Sequence, residues 1–245
     1  MTPQGRLLEN LLTPKSLRRA NLILTTSTTV ESELSASDPT LAGKTIAVPL
    51  ASSIDRFACQ PPPKVSKPYF IFCGSLGPRK NLDRLIHAFL DLKRSEPSIT
   101  HTFVIVTGGG WRDSEARKLI ANNPQHLELY SKIDESLKSQ LIRHSEFLVL
   151  PSLYEGFGIP IIEALKLGRP ILTSNRGAMK EMAGDAALFV DPDDPNSIRE
   201  GLLALCTKKR LRDSLAENAI ARAEGFCWAK TSKRTMEALA SIAAK

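Results

Sequence analysis

From residue 69 onward the chain alternates short, unbroken apolar runs with amphipathic segments, and this alternation narrows the folds open to it. Runs at 69–73, 102–107, 147–150, 170–173 and 187–190 read as strands, with a shorter one at 127–130. Helical periodicity lies between them, at 82 to about 94, about 112–121, 135–143 and 160–167, with a short helical turn near 178–182. Three more helical stretches follow, at 195–206, 209–224 and 228–244. Strands apolar on both faces belong in a parallel sheet covered by helices on either side. The expected fold class is therefore α/β, with a Rossmann-like doubly wound parallel sheet.

Residues 1–60 carry less. A helical piece ends near Arg19, a strand is predicted at 21–26, a helix at 27 to about 35, and a strand at 45–48. Gln60-Pro61-Pro62-Pro63-Lys64 cannot continue a helix or a central strand and reads as a linker. The expected division is a small N-terminal αβ unit with linker (1–60), a Rossmann-like domain (61–227) and a C-terminal helix (228–245) packing back on the N-terminal part.

The net charge of +7 favours anionic partners. Aromatic residues make up 6% and no basic run is interleaved with them, which argues against single-stranded nucleic acid. Cys59, Cys73, Cys206 and Cys227 form no CxxC pair, and His87, His101, His126 and His144 lack metal-ligand spacing. The expectation is a reduced protein without structural zinc. The chain opens without a signal-peptide core, and no apolar run approaches the ~18 residues of a spanning helix. A cytoplasmic location is expected, with or without peripheral contact at the inner face of a membrane. The basic start Lys208-Lys209-Arg210 with Arg212 reads as a solvated face, with lipid contact as the alternative.

The chemistry gathers in loops that follow strands, where open α/β sheets bind ligands. After the run at 147–150 comes Glu155-Gly156-Phe157-Gly158-Ile159-Pro160-Ile161-Ile162-Glu163. A strand, a glycine turn and a helix start together make an anion site. Ionised Glu155 and Glu163 only accept hydrogen bonds, which suits hydroxyl-rich ligands; two surface acids near a helix start are the alternative. After the run at 69–73 comes Gly74-Ser75-Leu76-Gly77-Pro78-Arg79-Lys80-Asn81. Arg79 and Lys80 can grip phosphate by fork and by point charge, or stand as a solvated basic pair. Asn81 is expected to cap the following helix. Gly108-Gly109-Gly110 lacks the GxGxxG spacing of a dinucleotide fingerprint.

These residues resemble a known family. The span from Glu155 to Glu163 resembles the E-x7-E motif of retaining GT-B glycosyltransferases, group 1 (family 4). Ala164 to Pro170 and Gly184 to Pro192 fit the same pattern. Gly74 with Arg79-Lys80-Asn81 resembles the family's diphosphate loop, and residues 14–57, including Arg18-Arg19-Ala20-Asn21 and Asp55-Arg56-Phe57, resemble the end of its N-terminal domain. The sequence is especially similar to bacterial mannosyltransferase-like members.

The resemblance implies a nucleotide-sugar donor, with GDP-mannose as the expected one, and transfer of a hexose with retention to a glycan or lipid-linked acceptor. It implies no cofactor and no metal. Arg79 and Lys80 would hold the diphosphate. Glu155 would contact the transferred sugar, the amides of Gly156, Phe157 and Gly158 its hydroxyls or the phosphates, and Glu163 the ribose. Gly74, Ile133 and Ile159 would complete the donor site, Ile133 near the base. The family's acceptor site and usual N-terminal catalytic histidine have no counterpart in residues 1–60, so a partner chain supplying the rest of that domain is expected. A non-catalytic nucleotide-sugar-binding module is the alternative, and a nucleic-acid-binding protein rests on charge alone.

Overall fold

The structure is a computed structural model that describes residues 12–54, 65, 68–108 and 115–243. The proline linker, Asp55-Arg56-Phe57, Cys59, Gly109, Gly110 and the predicted helix start at Arg112 lie outside the described residues.

A helix at residues 12–19 (α1) opens the described chain. Then follow β1 (Ile23–Thr25), α2 (Thr28–Ser37) and β2 (Thr45–Ala47). Strands β1 and β2 pair in parallel as a separate two-stranded sheet. Lys44 Nζ donates to the carbonyls of Leu17, Arg18 and Ala20, closing the C-terminal end of α1. Ser27 caps α2 by accepting from Val30 N at 3.2 Å.

The main body begins at β3 (Tyr69–Cys73) and continues through α3 (Leu82–Ser95), β4 (Thr102–Thr107), α4 (Glu115–Asn122), β5 (Leu127–Ser131) and α5 (Glu135–His144). It returns with β6 (Leu148–Leu150), α6 (Ile159–Lys166), β7 (Ile171–Ser174), α7 (Met179–Ala183) and β8 (Ala187–Val190). Helices α8 (Pro195–Thr207), α9 (Lys209–Ala223) and α10 (Trp228–Ala243) close the described chain. The six strands lie in the order β5-β4-β3-β6-β7-β8, all parallel. The expected doubly wound α/β sheet is therefore present, and the predicted strands at 69–73, 102–107 and 187–190 have the observed bounds.

The chain winds outward from β3 to β5, then crosses back to lay β6 on the other side of β3. Ile71 is registered with Leu148, and Ile71 N donates to Phe147 O at 3.1 Å. The winding reverses between these two strands, so the crevice beyond their carboxyl ends is the switch point where such sheets bind ligands.

The core explains the strand runs. Phe70, Phe103 and Phe147 line up across β4, β3 and the start of β6, with ring centroids 4.7 and 5.0 Å apart, and Phe89 of α3 meets Phe70 edge-on at 5.0 Å. Helix α3 buries Leu82, Leu85, Ile86, Phe89 and Leu92, the one-faced spacing of a helix on a sheet. Helix α10 lies against the N-terminal unit: Thr231 Oγ1 donates to Pro49 O at 2.7 Å, and Trp228 Nε1 to Ser53 Oγ at 3.2 Å. Among the described residues no helix is long and apolar enough to cross a membrane. At the basic start of α9, Lys208, Lys209 and Arg210 are exposed, with Lys209 on Asp213 at 2.7 Å, while Arg212 packs on Glu146 at 3.3 Å.

Gly201 of α8 sits so close to the sheet that a Cβ there would lie 2.7 Å from both Leu172 Cδ1 and Val190 Cγ1. Gly201→Val should therefore lose about 1–3 kcal/mol by overpacking, read as a lower denaturant midpoint at unchanged slope.

Candidate functional site

The loop after β3 is shaped for a buried cation. A single 3₁₀ turn, Pro78–Lys80, carries Arg79 and Lys80. A Cβ on Gly74 would stand 3.1 Å from Phe72 Cζ and 3.3 Å from Lys80 Cε, so the glycine makes room for the lysine stem. Asn81 occupies the N-cap position of α3 in a left-handed conformation (φ 58°), but its side chain makes no capping bond. The expected cap is corrected: Asn81 Nδ2 donates to Pro151 O at 3.0 Å and Pro192 O at 2.7 Å, tying together the loops after β3, β6 and β8. A side chain that reaches two rim carbonyls contributes more there than by satisfying one amide of its own helix.

The loop after β6 brings Glu155 to the same place. Its Oε2 accepts from Arg79 Nη1 at 2.5 Å, and its Oε1 lies 2.7 Å from Lys80 Nζ and accepts from Ser152 Oγ at 2.8 Å. Arg79 Nη1 also donates to Tyr154 O at 2.7 Å, and Leu153 N donates to Arg79 O at 2.9 Å. Glu155 and Lys80 are buried, while the Arg79 side chain is half exposed. Two cations and one carboxylate thus meet beyond β3 and β6.

The loop is braced from behind. Gly177 has φ +54°, and a Cβ there would fall 2.5 Å from Glu155 O; Ala178 N donates to that same oxygen at 2.9 Å. The N-terminal unit braces the other side. Thr26 Oγ1 and Ser27 Oγ both donate to Gly156 O, at 3.0 and 2.9 Å. Glu181 of α7 accepts from the amides of Thr28 and Thr29 and from Thr29 Oγ1 at 2.8–2.9 Å. Burial raises the Glu181 carboxyl, and these donors overcome it, so it titrates below its usual range. Tyr154 Oη donates to Glu33 at 2.5 Å, and burial followed by that carboxylate pushes the phenol up to about 12.

Gly158 (φ 95°) turns the chain into α6, and Pro160 occupies its first turn. The Ile159 amide at the start of α6 has no acceptor within the helix. The Phe157 side chain points away into the core, edge-on to Phe226 at 6.3 Å, which leaves its backbone for any ligand.

A cleft of about 280 Å³ opens beside the charged cluster, lined among others by Gly74, Gly108, Ile133, Ile159 and Glu163. The candidates therefore fall into two neighbouring groups: Arg79, Lys80 and Glu155 in the ion cluster, and Gly74, Ile133, Ile159 and Glu163 in the cleft. Glu163 is buried on a helix whose neighbours Ile161, Ile162, Ala164 and Leu165 are buried too. Its partner is Lys138 of α5, at 2.9 Å, which also meets Glu135 at 2.7 Å. Burial raises the Glu163 carboxyl above its usual range, and Lys138 offsets part of this. Burial pulls Lys138 down, but its bonds to Glu135 and Glu163 prevail and hold it above its usual range. Lys138, Ser152, Gly177 and Glu181 were not singled out from sequence. A glycine after a strand run was the one signal available, at Gly177.

Fold and site define a class: a doubly wound α/β domain with two cations and a carboxylate clustered at its switch point. The family of glycosyl transferases group 1 matches residues 54–222, and the chain belongs to it. The chain is 28% identical over 235 residues to the O-antigen chain mannosyltransferase B of Escherichia coli, covering 91% of this chain and 61% of that one. It is 35% identical over 119 residues to the MMP alpha-(1->4)-mannosyltransferase of Mycolicibacterium hassiacum, covering 45% of this chain and 29% of that one. Sucrose-phosphate synthase from Thermosynechococcus elongatus shares the fold, with a TM-score of 0.81 at 20% identity over 100% of this chain and 64% of that one. The described body is thus the Rossmann-like half of a GT-B architecture, and the chain spans less than two thirds of each of these proteins.

Two substitutions, with Gly108→Ala as a control, test the bracing. Gly177→Ala should lose about 2 kcal/mol of stability, because alanine resists positive φ and its Cβ meets Glu155 O. Gly108→Ala, with nothing within 4 Å of its Cβ, should be near neutral. Lys138→Met should destabilise by about 2–3 kcal/mol at pH 8, below a fully buried pair because Lys138 is partly exposed. The loss should shrink towards pH 5. Without its partner, Glu163 titrates still higher in the folded state, so the folded protein binds more protons than the unfolded one and stability falls as pH rises. Urea midpoints at both pH values give the comparison.

Proposed function

We propose that this chain forms the donor-binding half of a retaining glycosyltransferase that takes mannose from GDP-mannose to a glycan or lipid-linked acceptor. The observation that carries the proposal is the meeting of Arg79, Lys80 and Glu155 at the switch-point crevice, next to a cleft that ends on Glu163. Arg79 and Lys80 take the diphosphate, with the Ile159 amide and the start of α6 on its other side. The Glu155 carboxylate accepts from hydroxyls of the transferred sugar. The nucleoside lies in the cleft, with its ribose on Glu163 and its base towards Ile133.

As the bond from the anomeric carbon to the diphosphate breaks, negative charge grows on the leaving phosphate. Arg79 and Lys80 are already in position to stabilise it, and this arrangement needs no metal. Mannose as the sugar is supported by the names of the two mannosyltransferase relatives. The acceptor side and a chain or segment supplying the remainder of the N-terminal domain are part of the same proposal.

Isothermal titration with GDP, UDP and ADP tests the donor site. One of the three should bind, and Arg79→Glu or Lys80→Glu should weaken it at least about tenfold, given the roughly 1.5–3 kcal/mol of a charge-assisted contact. Lys209→Glu, on the distant start of α9, should leave binding unchanged. Absence of binding to all three and to their nucleotide sugars at millimolar ligand would reject the proposal.

A further inference from the structure

The three contacts on Glu155 have a consequence for which ligands the site favours. The cations assigned to the diphosphate, Arg79 and Lys80, are both held by one carboxylate of the protein, with Ser152 fixing its orientation. Glu155 is 5% exposed and Lys80 8%, so water and salt screen that pair weakly, and the half-exposed Arg79 more strongly. Lys80 and Arg79 have donors to spare, so a phosphate can reach them. It then also approaches the Glu155 charge, and two anions repel unless a donor stands between them. A sugar hydroxyl is such a donor, and a bare nucleoside diphosphate brings none to that position.

Building on the donor-site proposal, we infer that Glu155 is a built-in counter-anion that makes the site discriminate. It holds Arg79 and Lys80 in position, opposes a nucleoside diphosphate without sugar, and turns to the sugar hydroxyls of the complete donor. The same device favours product release, because the carboxylate reclaims both cations once the sugar has left.

The test is titration calorimetry on wild type, Glu155→Gln and Ser152→Ala, using whichever of GDP, UDP and ADP the wild type binds and its nucleotide sugar. Glutamine keeps the size and removes the charge. Glu155→Gln should bind the bare diphosphate about tenfold more tightly, within the usual range of coupling between two ligands at one protein. Its preference for the nucleotide sugar over the diphosphate should shrink. Ser152→Ala leaves the Glu155 charge in place and should leave both quantities close to those of the wild type. A folded Glu155→Gln that binds the diphosphate no better than wild type would overturn the inference and leave the donor site standing. If that variant does not fold, the wild type decides: it should bind the nucleotide sugar more tightly than the bare diphosphate, and equal or weaker binding of the nucleotide sugar would overturn the inference. A wild type that binds neither a nucleoside diphosphate nor its nucleotide sugar would remove the donor site itself.

Discussion

The pairing of β3 with β6 is the constraint on which the rest of the site depends. The two strands are 77 residues apart at their registered pair, Ile71 and Leu148, and the chain makes two strand-helix crossovers on one side before it returns. Parallel strands point their carboxyl ends the same way, so the loop bearing Arg79 and Lys80 and the loop bearing Glu155 emerge side by side. A different strand order would separate the cations from the carboxylate by at least one strand spacing, ~5 Å. The stacked rings of Phe103, Phe70 and Phe147 fix this order at the opposite end of the strands, where no ligand competes for space.

Around that pairing the rim is held by hydrogen bonds between distant segments. Asn81 spans three loops, Gly177 backs the Glu155 carbonyl, and two hydroxyls of the N-terminal unit meet Gly156 O. Glu181 gives α2 its anchor on the main body. The N-terminal unit is therefore attached to the peptide segment that carries Glu155, and a shift of α2 would be felt there. A rigid rim of this kind suits a site that must present fixed charges to a leaving diphosphate.

Much of the fold was legible because its signals are local. The strand at 69–73 is an unbroken run of aromatic and apolar residues, that at 102–107 is apolar between two threonines, and the observed elements coincide with them. The clustering of glycines with Arg79, Lys80, Glu155 and Glu163 after strands marked the rim. The rest is non-local. Lys138 reads as an ordinary helix-surface lysine until α5 packs beside α6 and sets it against Glu163. Asn81 has the right type and place for a cap, but its amide turns to carbonyls 70 and 111 residues away. Glu181 looks like a first-turn acid of a short helix, and its partners come from the N-terminal unit. No window of sequence contains such pairs.

The central claim is that Arg79 and Lys80 hold a donor diphosphate at the β3–β6 crevice. A crystal structure of the protein with a bound nucleotide sugar tests it most directly. Phosphate oxygens should lie about 2.7–2.9 Å from both side chains, with the sugar at Glu155 and the ribose at Glu163. A nucleotide seated elsewhere, or with its phosphates out of reach of both cations, would contradict it.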